Sequence, residues 1–174
     1  ALWKTGAALA AAALAWEGEG FHGKALPLQD FDGLLEQEEQ EALLAAGVTP
    51  IVRYGQRVEC VRGVTTRTRN DQNQTDLSGY SLWTVMALDQ VSGELRQAAA
   101  KMIGGRNNSP EGRQSIVSRL LMVLENQKRR GLLEAYHPPV ALPHPEDPGI
   151  CLVRVSLKLA SELSGIYLDT QLAL

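Results

Sequence analysis

The spacing of apolar residues changes several times along the chain, and each change marks an element. Leu2 to Trp16 (LWKTGAALAAAALAW) is Ala-rich and reads as a helix, ended by the glycine-rich run EGEGFHGK. Gly18 to Gly33 is an irregular connection containing Pro27, Phe21, His22 and Phe31. Leu34 to Ala46 is a second helix, with Gly47 placed as its left-handed cap. Thr49 to Arg53 and Arg57 to Val64 form a hairpin about Tyr54-Gly55-Gln56, and Thr65 to Thr68 continues extended. Asn70 to Gly79 is a polar loop, an exposed tip of the kind that orders only against a neighbour or not at all, and Tyr80 to Val85 begins extended. Met86, Val91, Leu95, Ala98, Ala99 and Met102 then recur at helical spacing up to Gly104-Gly105.

The next helix carries the clearest local signals. Ser109 caps it, Pro110 opens it, Glu111 suits its positive end and Gly131 closes it. Ile116, Leu120, Val123, Leu124 and Gln127 trace one face of it, with Leu121 and Met122 widening that face. Leu132 to Tyr136 is a short strand, His137 to Gly149 a proline-rich loop, and Ile150–Leu159 and Ser164–Leu174 are the last strands. These elements predict an α/β (α+β sandwich-like) fold, with a mixed or antiparallel sheet of short strands against two or three helices.

Composition adds little to that picture. The chain has 174 residues, 44% apolar and 21% charged, enough for one real core. It begins with Ala, which suits a fragment or a processed chain; Leu2–Trp16 has signal-peptide features, but a helix cut from its upstream context fits better. Cys60 and Cys151 are far apart in apolar runs and read as free thiols. Charge is more informative. Glu17 to Ala46 holds eight acids against one base, whereas from Gly47 onward fifteen Lys/Arg face twelve Asp/Glu. Opposite-sign segments suit either head-to-tail packing of identical subunits or two solvated faces.

No active site is legible. His22, His137 and His144 lack zinc-site spacing, and His144 lies in the turn-forming PHPEDP. The glycines of GEGFHG lack the preceding strand a dinucleotide loop needs. A small enzyme using Asp76, Arg67 or His137 is the weakest alternative. Arg62, Arg67 and Arg69 on one segment, and Lys128, Arg129 and Arg130 at a helix end, are two basic clusters. Stacking aromatics are missing from both and the net charge is −3, so a charged protein surface is a better partner than nucleic acid. In the last segment Ile166, Leu168, Thr170, Leu172 and Leu174 alternate with Tyr167, Asp169, Gln171 and Ala173. That period fits a strand of the domain's own sheet or an arm added to a neighbour's.

Several blocks, in order, resemble the C-terminal domain of contractile phage tail sheath proteins of the Mu-like type. They are LLAAGVTPI, VECVRGVTTRT, the Asp76 loop, SPEGRQSIVSRLL, RRGLLEAY, the Pro/Asp turn, CLVRVSLKLA and GIYLDTQLAL. The resemblance spans Leu34 to Leu174, with residues 1–33 as a helix remnant of an upstream domain and connector. It implies a structural subunit without catalytic activity or cofactor, polymerised as stacked hexameric rings around a tail tube in the virion tail after assembly in the host cytoplasm. Its partners would be further copies, the tube protein and the baseplate, not a membrane or nucleic acid. By the same resemblance Gly165 to Leu174 is the arm donated to a neighbouring sheet. Arg119, Lys128, Arg129 and Arg130 are the tube-facing candidates by charge. A baseplate or tail-terminator component is the alternative.

Overall fold

The computed structural model describes residues 2–28, 31, 33–105 and 107–163. Its helices are α1 (Leu2–Leu14), α2 (Gln37–Ala45), α3 (Leu77–Tyr80), α4 (Leu82–Ala100) and α5 (Pro110–Arg129). Its strands are β1 (Lys24–Leu26), β2 (Ile51–Tyr54), β3 (Arg57–Cys60), β4 (Leu133–Pro143) and β5 (Cys151–Leu159). The mixed α/β class is as the sequence predicts, with the strands divided between two antiparallel sheets. Contacts divide the chain into two compact units, one comprising Ala1–Val85 with Glu162, the other Met86–Ser161.

In the first unit β3 is central, in the order β1-β3-β2. Val58 and Cys60 are buried and alternate with half-buried Glu59, as the hairpin pattern requires. The hairpin turn is the two-residue Gly55-Gln56, with Tyr54 paired to Arg57 and Gly55 at φ +61°. Gly47 ends α2 at φ +74°, and a Cβ there would lie 2.6 Å from the Thr65 carbonyl oxygen. Phe21, within the connection, is fully buried.

Four expectations in this unit shift. β1 forms inside the connection expected to be irregular, pairing Lys24 with Cys60 and Leu26 with Val58. β3 stops at Cys60 rather than Val64, because Gly63 passes so close to Phe21 that a Cβ would meet its side chain at 2.7 Å. The Asn70 loop is not free: Asn70 Oδ1 accepts from the Gln72 and Gln74 amides, and α3 follows directly. Tyr80 ends α3 and Leu82 to Val85 begin α4, so of Tyr80 to Val85 Ser81 alone is extended, bridging Val64. The buried series Trp83, Ala87, Val91 and Ala98 carries the α4 period further back than Met86.

The second unit packs β4 against α5, and Tyr136 hydroxyl donates to Glu125 Oε2 at 2.9 Å. Leu120, Leu124 and Gln127 form the buried face of α5, as its spacing predicts. At its start the Ser109 side chain accepts from the Gly112 amide at 3.1 Å, and Pro110 occupies the first position. The main departure is β4, which runs on to Pro143 through the segment expected to be a loop. Pro138 and Pro139 fall at a register shift between His137 and Val140, where missing N–H groups break no ladder bond. The true turn is His144 to Ile150, with His144 Nδ1 accepting from the Glu146 and Asp147 amides.

Two predictions follow from α5. Leu124→Ala should cost about 3 kcal/mol in chemical denaturation, since the site is fully buried. Ser109→Ala should cost about 1 kcal/mol. The same change should raise the Glu111 pKa towards its ordinary range in an NMR titration. That carboxyl is held low by its own amide first and then by the Ser109 hydroxyl. Its contribution is therefore present above the usual carboxylate range and is lost on acidification.

Candidate assembly surfaces

Val61 to Thr68 belong to none of β1–β5; Val64 makes an isolated antiparallel bridge with Ser81, and Thr49, Pro50 and Tyr80 supply much of the remaining pairing. Thr49 Oγ1 both donates to the Val64 carbonyl (3.0 Å) and accepts its amide (3.1 Å). The Val61 amide bonds the Pro50 carbonyl, and the Thr65 amide the Tyr80 carbonyl. Asp76 is 7% exposed and caps α3 by accepting from the Gly79 amide at 3.0 Å. Its other oxygen meets Arg67 Nε at 2.6 Å, with Arg67 itself 63% exposed. Tyr80 hydroxyl donates to the Leu44 carbonyl, and Arg62 lies over the Tyr80 ring at 5.6 Å. Asp76 and Arg67, named above as enzyme candidates, thus form a capping ion pair.

Glu162 completes the unit by accepting from the Phe21 amide (2.7 Å) and the Ser81 hydroxyl (3.3 Å). Burial first, and then the negative charge of Glu162, push the Cys60 thiol up to about 12. His22 and His137 are exposed, in different units, and the His144 ring nitrogen is occupied by its own turn. Among the described residues no group of three His, Cys, Asp or Glu gathers to hold a metal, and no helix is long and apolar enough to cross a membrane.

The four basic candidates on and after α5 are exposed, but they do not share a face. Arg119 and Lys128 are nine residues apart, which places them about half a turn out of phase. Arg119 lines a groove beside α4, Arg129 pairs with Glu125 of its own helix (3.6 Å), and Arg130 with Glu94 of α4 (3.0 Å). Glu94 also accepts from buried Gln127. Gly165 to Leu174, the expected arm, lies outside the described residues.

The other surface is the β4–β5 ribbon. Among the described residues it has only two strands, so each presents an outer edge without a ladder partner. Val140, Leu142, Leu152 and Val153 are all at least 36% exposed along it. Unpaired edges with apolar side chains are the features that recruit a further strand.

No protein-family model matches the chain, and no curated protein matches it significantly. Solved structures do. A chain of the six-fold symmetrised anti-feeding prophage baseplate superposes with a TM-score of 0.73 at 13% identity, over 91% of this chain and 46% of that one. A sheath tail protein from Listeria innocua superposes at 0.65 and 14% identity, over 87% of this chain and 40% of that one. The chain therefore has the fold found in these tail proteins, and spans less than half the length of either. The likeness to a sheath domain read from the residue blocks is matched at the level of fold.

Cys151 is half-exposed while Cys60 is buried. Native protein should therefore titrate one thiol rapidly and the second at least about a hundredfold more slowly, equalising on unfolding. Because the folded Cys60 pKa is raised from 9.0, its contribution to stability is intact below about pH 9 and is lost between there and about 12. A Cys60→Ala variant should lack that alkaline component in denaturation curves.

Proposed function

We propose that this chain is the C-terminal, tube-proximal domain of a contractile tail sheath subunit, with residues 34–174 as the domain and 1–33 as the connector into it. The observation that carries the reading is the shared fold with a sheath tail protein, joined to the sequence blocks of the same family. The subunit would assemble as stacked hexameric rings around a tail tube and shorten during delivery. It would use no cofactor and catalyse no reaction. Its place would be the virion tail, with copies of itself, the tube protein and the baseplate as partners.

Strand addition supplies the mechanism. Main-chain hydrogen bonds join an incoming strand to a sheet edge without fixing how the two bodies lie beyond it. Subunits linked in this way swing while staying connected. The open edges of the β4–β5 ribbon are the acceptor we favour, with Gly165–Leu174 of a neighbour as donor. Lys128, with Arg129 beside it, is the tube-facing candidate, since Arg130 is committed to Glu94. A second reading, a baseplate component, is favoured by the higher TM-score of the baseplate chain.

Negative-stain microscopy of the full-length protein separates the two. Hollow tubes or stacked six-fold rings support the sheath, and a particle that never polymerises beside tube protein supports the baseplate. Deleting Gly165–Leu174 should abolish tubes while leaving the circular dichroism of the core unchanged; normal tubes from that deletion would remove the arm from the mechanism.

A further inference from the structure

Between the end of α4 and the first half of α5 runs an open groove of about 620 Å³. Ala98 and Met102 form one apolar side and Met122, 64% exposed, the other. Lys101 and Arg119 stand on opposite walls, and no acidic residue lines it. Among the described residues neither cation makes an ion pair. An apolar floor between two uncommitted cations is shaped for an acidic helix bearing small apolar residues.

Such a helix exists in the same sequence. No residue of α2 is fully buried: Gln40, Leu43 and Leu44 are half-buried on one side, and the rest of the helix is exposed. Glu38 and Glu41 are exposed on it, with Ala42 and Ala45 one and two turns from Glu38, and Leu34 just ahead of it is 83% exposed. Glu39 is held back by the capping box, its Oε2 accepting from the Glu36 amide at 2.9 Å, while Glu38 makes no ion pair among the described residues. The charges are thus opposite, and the apolar parts of both surfaces are uncovered.

We propose that the α4–α5 groove receives α2 of a second copy of this chain, Glu38 and Glu41 meeting Lys101 and Arg119 while Leu34 and the α2 alanines cover Met102 and Met122. The contact is heterologous, one surface on each copy, and so propagates from subunit to subunit. It rests on the self-assembling reading above but uses side chains, where the arm uses backbone. It also takes Arg119 away from the tube-facing set.

The test is a charge exchange in the 174-residue chain, followed by sedimentation velocity from low to high protein concentration. One variant carries Lys101→Glu with Arg119→Glu, the other Glu38→Arg with Glu41→Arg; all four positions are exposed, and circular dichroism verifies folding. Each variant alone should self-associate at least about tenfold more weakly than the parent, since like charges then face each other. An equimolar mixture should recover association, because each variant's groove then faces a helix of opposite sign. Parent association should also weaken as salt rises from about 0.05 to about 0.5 M, which shortens the screening length from about 14 to about 4 Å. Unchanged association in both variants, or a parent that stays monomeric throughout, overturns the proposal. Tubes from the full-length protein together with unchanged variants would leave the sheath reading standing and remove this contact. Charge-exchanged pairing without tubes would do the reverse.

Discussion

Backbone amides and carbonyls withdrawn from water must find partners, and the first unit is organised by that demand over Val61 to Thr68. The hairpin cannot extend past Cys60, because Gly63 has to pass against the Phe21 ring. Ladder bonds lost there are replaced one by one: Thr49 takes both groups of Val64, and Tyr80 gives its carbonyl to the Thr65 amide. The left-handed turn at Gly47 brings α2 close enough for this to work. Asp76 then fixes the return of the chain by capping α3 while bound to Arg67. Helix end, hairpin and loop are therefore one cooperative polar network rather than neighbours that happen to touch.

Much of this was legible in the residues. Ser109-Pro110 and Gly131 marked the limits of α5 because capping is local chemistry, and Val58-x-Cys60 marked β3 because its alternation is short-range. What the sequence concealed was decided at a distance. The end of β3 depends on Phe21, some forty residues earlier, and no window around Gly63 contains it. Pro138-Pro139 reads as a loop by composition and sits in a strand because the two prolines form a bulge opposite the one residue, Val155, between Ser156 and Arg154. Trp83 and Ala87 belonged to the helical period, but Tyr80 to Val85 is rich in residues that also suit strands.

The candidate surfaces divide in the same way. Basic positions are visible as charges, but charge alone gives no phase around α5, and the helix places Arg119 and Lys128 on opposite sides. The groove has no local signature in the sequence, because its lining comes from two helices separated by a glycine-rich turn. The paired edges of β4 and β5 were hidden by the length assigned to the loop. The expected arm lies outside the described residues, so its pattern of alternation stands on the sequence alone.

The bulge at Pro138-Pro139 has a mechanical meaning for anything laid alongside β4. Two consecutive residues there have no N–H to offer, so a uniform ladder is interrupted at a fixed point. A smooth edge under tension lets a bound strand slip by two residues and re-form every bond one step along. An edge with a gap resists such a slip where the bound strand carries a matching irregularity, since moving by two residues would part the two. Any strand laid along β4 would meet that interruption at one fixed place, which would set the register between the two.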